Sequence, residues 1–330
     1  MIEILSSGLP NVVQDLGRTG HLRIGVSRSG AMDALALSAA NGLVANEAAA
    51  AGIEIGLFPF RLRFRADLRF ACTGADAGIA LDGRALPPWW SASATAGQTL
   101  EIAAPRRGAR VYLAFSGGID VPLVLGSRST DLKGGFGGLE GRGLRRGDLL
   151  PLRPPRATQA THATGGHTGI LPASLPRFWQ ELAAGCIVVR AVAGAEHEHF
   201  TEASRAAFAN EAYEVTREAN RMGYRLSGSA LALQRPLELF SHGILPGTVQ
   251  VPPSGQPIVQ LAEANTCGGY PKIAHVIDID LWRLAQARPG TRVRFELLDP
   301  ADALAQAAVE TARCDALKQA LRRPHSPFTD

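Results

Sequence analysis

The sequence predicts a mainly β protein with a few helices, arranged as two β-rich units of similar size. Three observations predict it. Thirty-six glycines and 21 prolines among 330 residues favour turns and short strands over long helices. Short apolar runs recur between Gly, Pro and Asp punctuation from Ile53 to Leu152, a spacing that suits a barrel or a sandwich. A stretch rich in Pro, Thr, Gly and Ala, residues 153–177, separates the halves, as expected where a core beyond roughly 250–300 residues splits. Parallel α/β is disfavoured because helices do not alternate with the strands. The expected boundaries are a first domain over 1–152, a linker over 153–177, a second domain over 178–300, and a terminal helix and tail over 301–330.

The first strand is Glu3-Ile4-Leu5, broken by Ser7-Gly8 and Pro10. From Asp33 the pattern turns helical: Leu35, Ala39 and Leu43 lie four apart, and Asp33 suits the first turn. Strands are expected at Leu62–Ala66, Leu68–Cys72, Ile79–Leu81, Leu100–Ala103, Val111–Phe115 and Leu149–Leu152. The second half opens with the strand Cys186-Ile187-Val188-Val189, then a helix Glu202–Ala209 capped by Thr201. Asp280 is placed to cap a helix L-W-R-L-A-Q-A that stops at Pro289-Gly290. Val293, Phe295 and Leu297 share one face of the closing strand, and an Ala-rich helix runs from Leu304 into the tail.

Composition excludes several function classes. The net charge is only +4. The densest basic cluster, Arg61, Arg63, Arg65 and Arg69, occupies alternate positions opposite Leu62 and Phe64, the solvent face of a half-buried strand, so nucleic-acid binding is not expected. Cys72, Cys186, Cys267 and Cys314 form no C-x-x-C pair, which points to neither a zinc site nor a disulfide framework. His162 and His167 in the linker read as solvated, and His197 and His199 lack a third ligand, so no metal is expected. No apolar run approaches membrane-spanning length and the N-terminus lacks a signal pattern, so a cytoplasmic location is expected. G-x-x-x-x-G-K-[ST] and G-x-S-x-G are absent, and the Gly-rich run Leu132–Gly143 lacks the trailing Lys-Ser/Thr. No methionine adjoins a lysine, so the chain is not itself a biotin carrier.

The stretch Thr248–Lys272 stands out. Pro252-Pro253-Ser254-Gly255 makes a tight reversal, Ile258, Val259 and Leu261 form a brief strand, and a polar loop with two glycines follows. That order fits a small-molecule site and an ordinary Gly-rich hairpin loop equally well.

Several segments together carry a resemblance: V-Q-D-L-G-R-T-G, S-G-A-M-D-A-L-A-L-S-A-A-N, Y-L-A-F-S-G-G-I-D-V-P-L-V-L-G-S-R-S-T-D, N-R-M-G-Y-R-L-S-G and G-Q-P-I-V-Q-L-A-E-A-N-T-C-G-G-Y-P-K. In order and over roughly residues 3–300, the chain resembles the KipA / allophanate-hydrolase-subunit-2 family, which includes C subunits of prokaryotic 5-oxoprolinase and is related to the carboxyltransferase region of urea carboxylase. The resemblance implies two cyclophilin-like β-barrel domains, a KipI/PxpB-type partner subunit and, in the 5-oxoprolinase system, a LamB/YcsF-like (PxpA) subunit. It implies ATP-dependent opening of the 5-oxoproline lactam to glutamate, with ATP bound by the complex. Two alternatives come with it: carboxyl transfer from carboxybiotin on a separate carrier to a urea-like nitrogen, and a non-catalytic KipA-type regulator.

Both chemistries start from a compact planar amide, which needs donors at its carbonyl oxygen and acceptors at its N–H. Arg221, Asn220, Thr266 and the backbone N–H groups of Gly268 and Gly269 are candidate donors; Gln250, Gln260 and Glu263 are candidate acceptors, with Glu263 the general base. Lys272 suits a carboxylate or phosphate, and Asn265 and Tyr270 lie in the same loop. In the first domain, Gln14, Asp15 and Arg18 in a loop and Ser29 and Asp33 at a helix start fit an anion site, a structural bracket, or a partner contact. The family's usual loop reads close to A-D-R-Q-T-T-G-G-Y-P, against A-E-A-N-T-C-G-G-Y-P here. The usual S-D-R-M-G is A-N-R-M-G, and the usual G-P-Q is Gly194-Ala195-Glu196. Several polar changes in one pocket imply an altered substrate.

Overall fold

The computed structural model describes residues 1–6, 11–155 and 168–322. Residues Ser7–Pro10, the linker histidines His162 and His167, and the tail beyond Arg322 lie outside these. The described residues are mostly β and divide into two compact units, one of residues 1–6, 11–18, 29–155, 168–173 and 314–322, the other of 19–28 and 174–313. Residues 19–28 fall in the second unit, and the division within the terminal helix lies between Arg313 and Cys314.

Alternation of apolar and polar side chains builds the first unit from twelve short strands. These are β1 (Ile2–Ile4), β2 (Val12–Gln14), β3 (Gly52–Ile55), β4 (Phe60–Phe64), β5 (Leu68–Asp76) and β6 (Ile79–Leu81), followed by β7 (Arg84–Leu86), β8 (Trp90–Ala94), β9 (Thr99–Ile102), β10 (Arg107–Phe115), β11 (Leu149–Leu150) and β12 (Thr168–Gly169). They form two six-stranded antiparallel sheets, ordered β11-β1-β4-β9-β6-β7 and β12-β8-β5-β10-β3-β2. In β4, Phe60, Leu62 and Phe64 are fully buried in the core shared with Phe70, Val111 and Leu113. Arg61 and Arg63 take the opposite face, as period-2 alternation requires. Arg69 departs from the expectation of a solvated face. It is half-buried, and its Nη2 donates to Ser91 Oγ at 2.7 Å.

Helix α1 (Ala34–Leu43) starts where the sequence places it: Asp33 is its N-cap, accepting from Ala36 N at 2.8 Å. Its Ala40, Leu43 and Val44 side pack on Ala71 of β5 and Ala114 of β10.

The second unit closes into a barrel. Its strands are β13 (Cys186–Ala193), β14 (Ala212–Val215), β15 (Gly223–Ser227), β16 (His242–Gly243), β17 (Thr248–Gln250), β18 (Ile258–Gln260), β19 (Cys267–Gly268), β20 (Lys272–Val276) and β21 (Arg292–Leu297). The barrel order is β13-β20-β17-β18-β15-β14-β21, and a separate two-stranded ribbon pairs β16 with β19. Closure comes from β13 running parallel to β21, with Ile187 opposite Val293 and Val189 opposite Phe295. Tyr213 and Phe295 are buried, and Phe208 stacks on Phe295 with ring centroids 4.5 Å apart.

The helices of this half correct two expectations. Helix α2 (Leu175–Ala183) begins inside the expected linker, with Pro176 in its first turn where a missing N–H costs nothing. Its Phe178 meets Trp282 edge-on at 4.6 Å. Helix α3 (Glu202–Asn210) is capped by Thr201 as expected. Helix α4 (Leu281–Ala285) has no side-chain cap from Asp280. Both oxygens of that carboxylate are taken instead by Arg190, at 2.8 Å from its backbone N and 2.9 and 2.5 Å from its guanidinium. A bidentate charged partner outcompetes one orphan amide. Helix α5 spans Pro300–Arg322, and among the described residues no helix is long and apolar enough to cross a membrane.

One pH effect follows from the barrel. Burial lowers the pKa of His275 from its ordinary 6.5, against a smaller opposing pull from Asp278. The folded chain therefore binds fewer protons there than the unfolded chain, and stability present above that ordinary value is lost as pH falls through the lowered one. Urea unfolding between neutral and mildly acidic pH is expected to show this decline, and His275→Asn to flatten it.

Candidate functional site

Three of the residues picked out in the first unit, Gln14, Asp15 and Arg18, are joined through residues 127–130 into one buried cluster, while Asp33 N donates separately to Tyr112 Oη at 2.8 Å. The Asp15 carboxylate accepts from Gly17 N at 2.8 Å, and from Ser127 Oγ, Ser129 Oγ and Arg128 N at 2.6 Å each. Arg18 Nη2 donates to Ser129 O at 2.5 Å, and its guanidinium lies 4.8 Å from the Phe136 ring centroid. Gln14 Nε2 donates to Thr130 O at 3.0 Å. Ser29 is buried with a positive φ of 51°, just ahead of the Asp33 cap. These contacts fasten the segment 127–137 and the entry to α1 onto the end of β2. The Asp15 carboxylate is saturated by donors from its own chain, which gives this cluster the character of a structural bracket.

The second group is assembled on the barrel of the second unit. Cross-strand pairing sets it up: Gln250 of β17 lies opposite Lys272 of β20, and Gly223 of β15 opposite Gln260 of β18. Val249 of β17 pairs with both Val259 and Ala274, all fully buried. Period-2 alternation therefore turns Gln250 onto the other face of the sheet, where it is nonetheless only 4% exposed. The ribbon and its loops cover that face. A Cβ on Gly268 would lie 2.6 Å from Gln250 Nε2, and one on Gly269 2.9 Å from Leu239 O. Close approach of backbone favours glycine at 269, and at 268 a side chain would have to displace the end of Gln250, reasons the sequence pattern alone does not reveal.

Gln260 Nε2 donates to Gln250 Oε1 at 2.9 Å, so Gln250 is left with donors to offer, not the acceptor expected of it. Glu263 follows β18, and its backbone N donates to Arg221 O at 2.9 Å. Arg221 Nε in turn donates to Glu263 Oε1 at 2.7 Å, in an ion pair whose side chains are 6% and 3% exposed. Asn220 is exposed and serves the turn, its Oδ1 accepting from Met222 N at 2.8 Å. Thr266 is half-buried, with its carbonyl accepting from Ile244 N at 3.1 Å. Asn265 and Cys267 are exposed, and Tyr270 is 47% exposed at the rim. Lys272 is buried, its Nζ donating to Tyr270 O at 3.1 Å, and burial lowers its pKa against the opposing field of Glu196.

Two participants escape the sequence reading. Glu196 registers there only as a departure from a family pattern, yet its Oε2 accepts from Lys272 N at 2.9 Å and lies 3.9 Å from Lys272 Nζ. The strand β16 gives no alternation signal in E-L-F-S-H-G; the paired glycines opposite it are the one hint. His197 Nδ1 is 2.9 Å from Ile273 O, and among the described residues no group of three or more His, Cys, Asp or Glu side chains is arranged to hold a metal.

Comparison with known proteins gives consistent matches. The family described as "Carboxyltransferase domain, subdomain A and B" matches residues 24–297. The C subunit of the 5-oxoprolinase of Escherichia coli K12 is 43% identical over 295 residues, covering 89% of this chain and 90% of that protein. The urea amidolyase of Saccharomyces cerevisiae is 31% identical over 304 residues, 89% of this chain but 16% of that protein. Among solved structures, the urea amidolyase of Kluyveromyces lactis superposes over 98% of this chain with a TM-score of 0.85 at 27% identity, and this chain spans 20% of that one.

Proposed function

This chain belongs to the family of carboxyltransferase domains with subdomains A and B, and from that premise we propose that it is the C-type subunit of an ATP-dependent 5-oxoprolinase, acting with a KipI/PxpB-type partner and a LamB/YcsF-like subunit. The observation that carries the reading is the 43% identity to the C subunit of a 5-oxoprolinase over nine-tenths of that protein. The urea amidolyases, by contrast, are matched over a fifth of their length or less.

Opening a lactam puts negative charge on the carbonyl oxygen and requires a proton for the departing nitrogen. The site we assign is the covered outer face of the second unit's barrel. Thr266 and the backbone N–H groups of Gly268 and Gly269 serve the oxygen, and Glu263, held by Arg221, is the acid–base group. ATP is bound by the assembled complex. The altered loop Glu263-Ala264-Asn265-Thr266-Cys267 shifts the preferred substrate within the class of compact cyclic amides.

Co-expression with the partner subunits tests this. The complex is expected to hydrolyse ATP when given 5-oxoproline and to release glutamate, and Glu263→Gln to abolish turnover while assembly persists. A well-assembled complex inert to 5-oxoproline and to a panel of related lactams would sink the reading. The likeness to a urea amidolyase structure along almost the whole chain favours a second reading, carboxyl transfer from a separate biotin carrier. Its mark is activity that needs bicarbonate and is blocked by avidin.

A further inference from the structure

The second unit's barrel holds one buried donor without an acceptor, Gln250 Nε2, and, matched with it across the strands, a buried ammonium with a single hydrogen bond. Gln250 is 4% exposed; its Oε1 is occupied by Gln260, and its Nε2 meets no acceptor. Lys272 is 6% exposed, and its ammonium has one hydrogen bond, to Tyr270 O, with the Glu196 carboxylate at 3.9 Å, beyond hydrogen-bond reach. An ammonium carries three donors, and leaving buried donors unmade costs about 1–3 kcal/mol each, more for a charged group. The two residues are matched across β17 and β20 at a register shift between Val249 and Gln250, the kind of bulge that re-aims side chains. Gly268 lies against the amide: a Cβ there would sit 2.6 Å from Gln250 Nε2.

We propose that Lys272 and Gln250 form a donor pair for a planar carboxylate, one oxygen to each, and that Glu196 limits the site to a single negative charge. Glu196, 3.9 Å from the ammonium, already offsets its charge, so each further negative charge is less favourable and a dianionic phosphate is disfavoured relative to a monoanion. The inference rests on the proposed function only in naming the source: with 5-oxoproline, the carboxylate is the one on the ring carbon beside the lactam nitrogen. The site then reads that group and leaves the amide to the Glu263 end of the loop.

The test is thermal unfolding of the full chain, since a ligand that binds only the folded state raises its Tm. Wild type, Lys272→Met, Gln250→Leu and Glu196→Gln are each compared in sodium formate against sodium chloride at equal ionic strength, then in 5-oxoproline against 2-pyrrolidinone, its neutral analogue. Formate is expected to raise the wild-type Tm above chloride, and 5-oxoproline to bind about tenfold or more tightly than 2-pyrrolidinone. Lys272→Met is expected to lose both increments, and its Tm in chloride to fall, because the buried Glu196 carboxylate is left without its ammonium; the increments are therefore read within each variant. Gln250→Leu weakens both. Glu196→Gln is expected to gain stabilisation by inorganic phosphate that the wild type lacks. Formate acting no better than chloride on the wild type, or an undiminished formate increment in Lys272→Met, overturns the donor pair. A formate increment without any preference for 5-oxoproline over 2-pyrrolidinone keeps the carboxylate site and removes the lactam as its substrate.

Discussion

Glu263→Ala is expected to destabilise the second unit by about 3–5 kcal/mol, the usual cost of breaking a buried pair from one side. The partner left behind, Arg221, is 6% exposed and cannot release its charge. Guanidinium unfolding should show a lower midpoint with an unchanged slope. The informative companion is the double variant Arg221→Met with Glu263→Leu. It replaces two charges with apolar groups of similar length, and such swaps are often neutral or stabilising. A stable double variant that assembles with its partners but turns nothing over assigns the pair to chemistry. A stable double variant with full turnover makes the pair a fastening of the loop and moves the acid–base role elsewhere. A loss below about 1 kcal/mol for Glu263→Ala would mean the pair is effectively solvated.

Asp15→Ala in the first unit is the second large effect, about 3–5 kcal/mol by equilibrium unfolding. Four donors converge on that carboxylate at 2.6–2.8 Å, and each orphaned donor costs about 1–3 kcal/mol, with losses that overlap because the groups share one network. Asp15→Asn rescues little, since its NH2 faces N–H and O–H groups that already donate. The Gly-rich run that follows the clamped segment should become sensitive to limited proteolysis, with cleavage between Leu132 and Gly143. A change within about 0.5 kcal/mol, the range of ordinary surface substitutions, would show that the clamp holds nothing.

The sequence reveals what is local. The start of α1 near Asp33 and the alternation in F-R-L-R-F are legible because helix and strand periods are properties of neighbouring residues, although Asp33, expected in the first turn, is the N-cap. Helix α2 is hidden because Leu175-Pro176 looks like a breaker until its place in a first turn is known. The helix cap assigned to Asp280 fails because its competitor, Arg190, lies 90 residues away in sequence. The same holds for the candidate site. Polar residue types concentrated in 248–272 mark it, but that Gly268 of the ribbon would come to lie against Gln250 goes with a pairing between 242 and 268 that no local pattern encodes.

The parallel seam between β13 and β21 has a consequence for how the protein is made. Cys186 is matched with Arg292 and Ala191 with Leu297, so the first strand of this unit waits for the last. During synthesis, at about 5–20 residues per second, every other strand of the unit leaves the ribosome before the seam can form. For those seconds the nascent chain presents an open sheet with β13 as an unpaired edge rich in valine and isoleucine, a template for pairing with another chain. A stop codon or a ribosomal stall upstream of Leu297 leaves that edge open for good. Such a fragment should collect in inclusion bodies, even though it retains Gln250, Glu263 and Lys272.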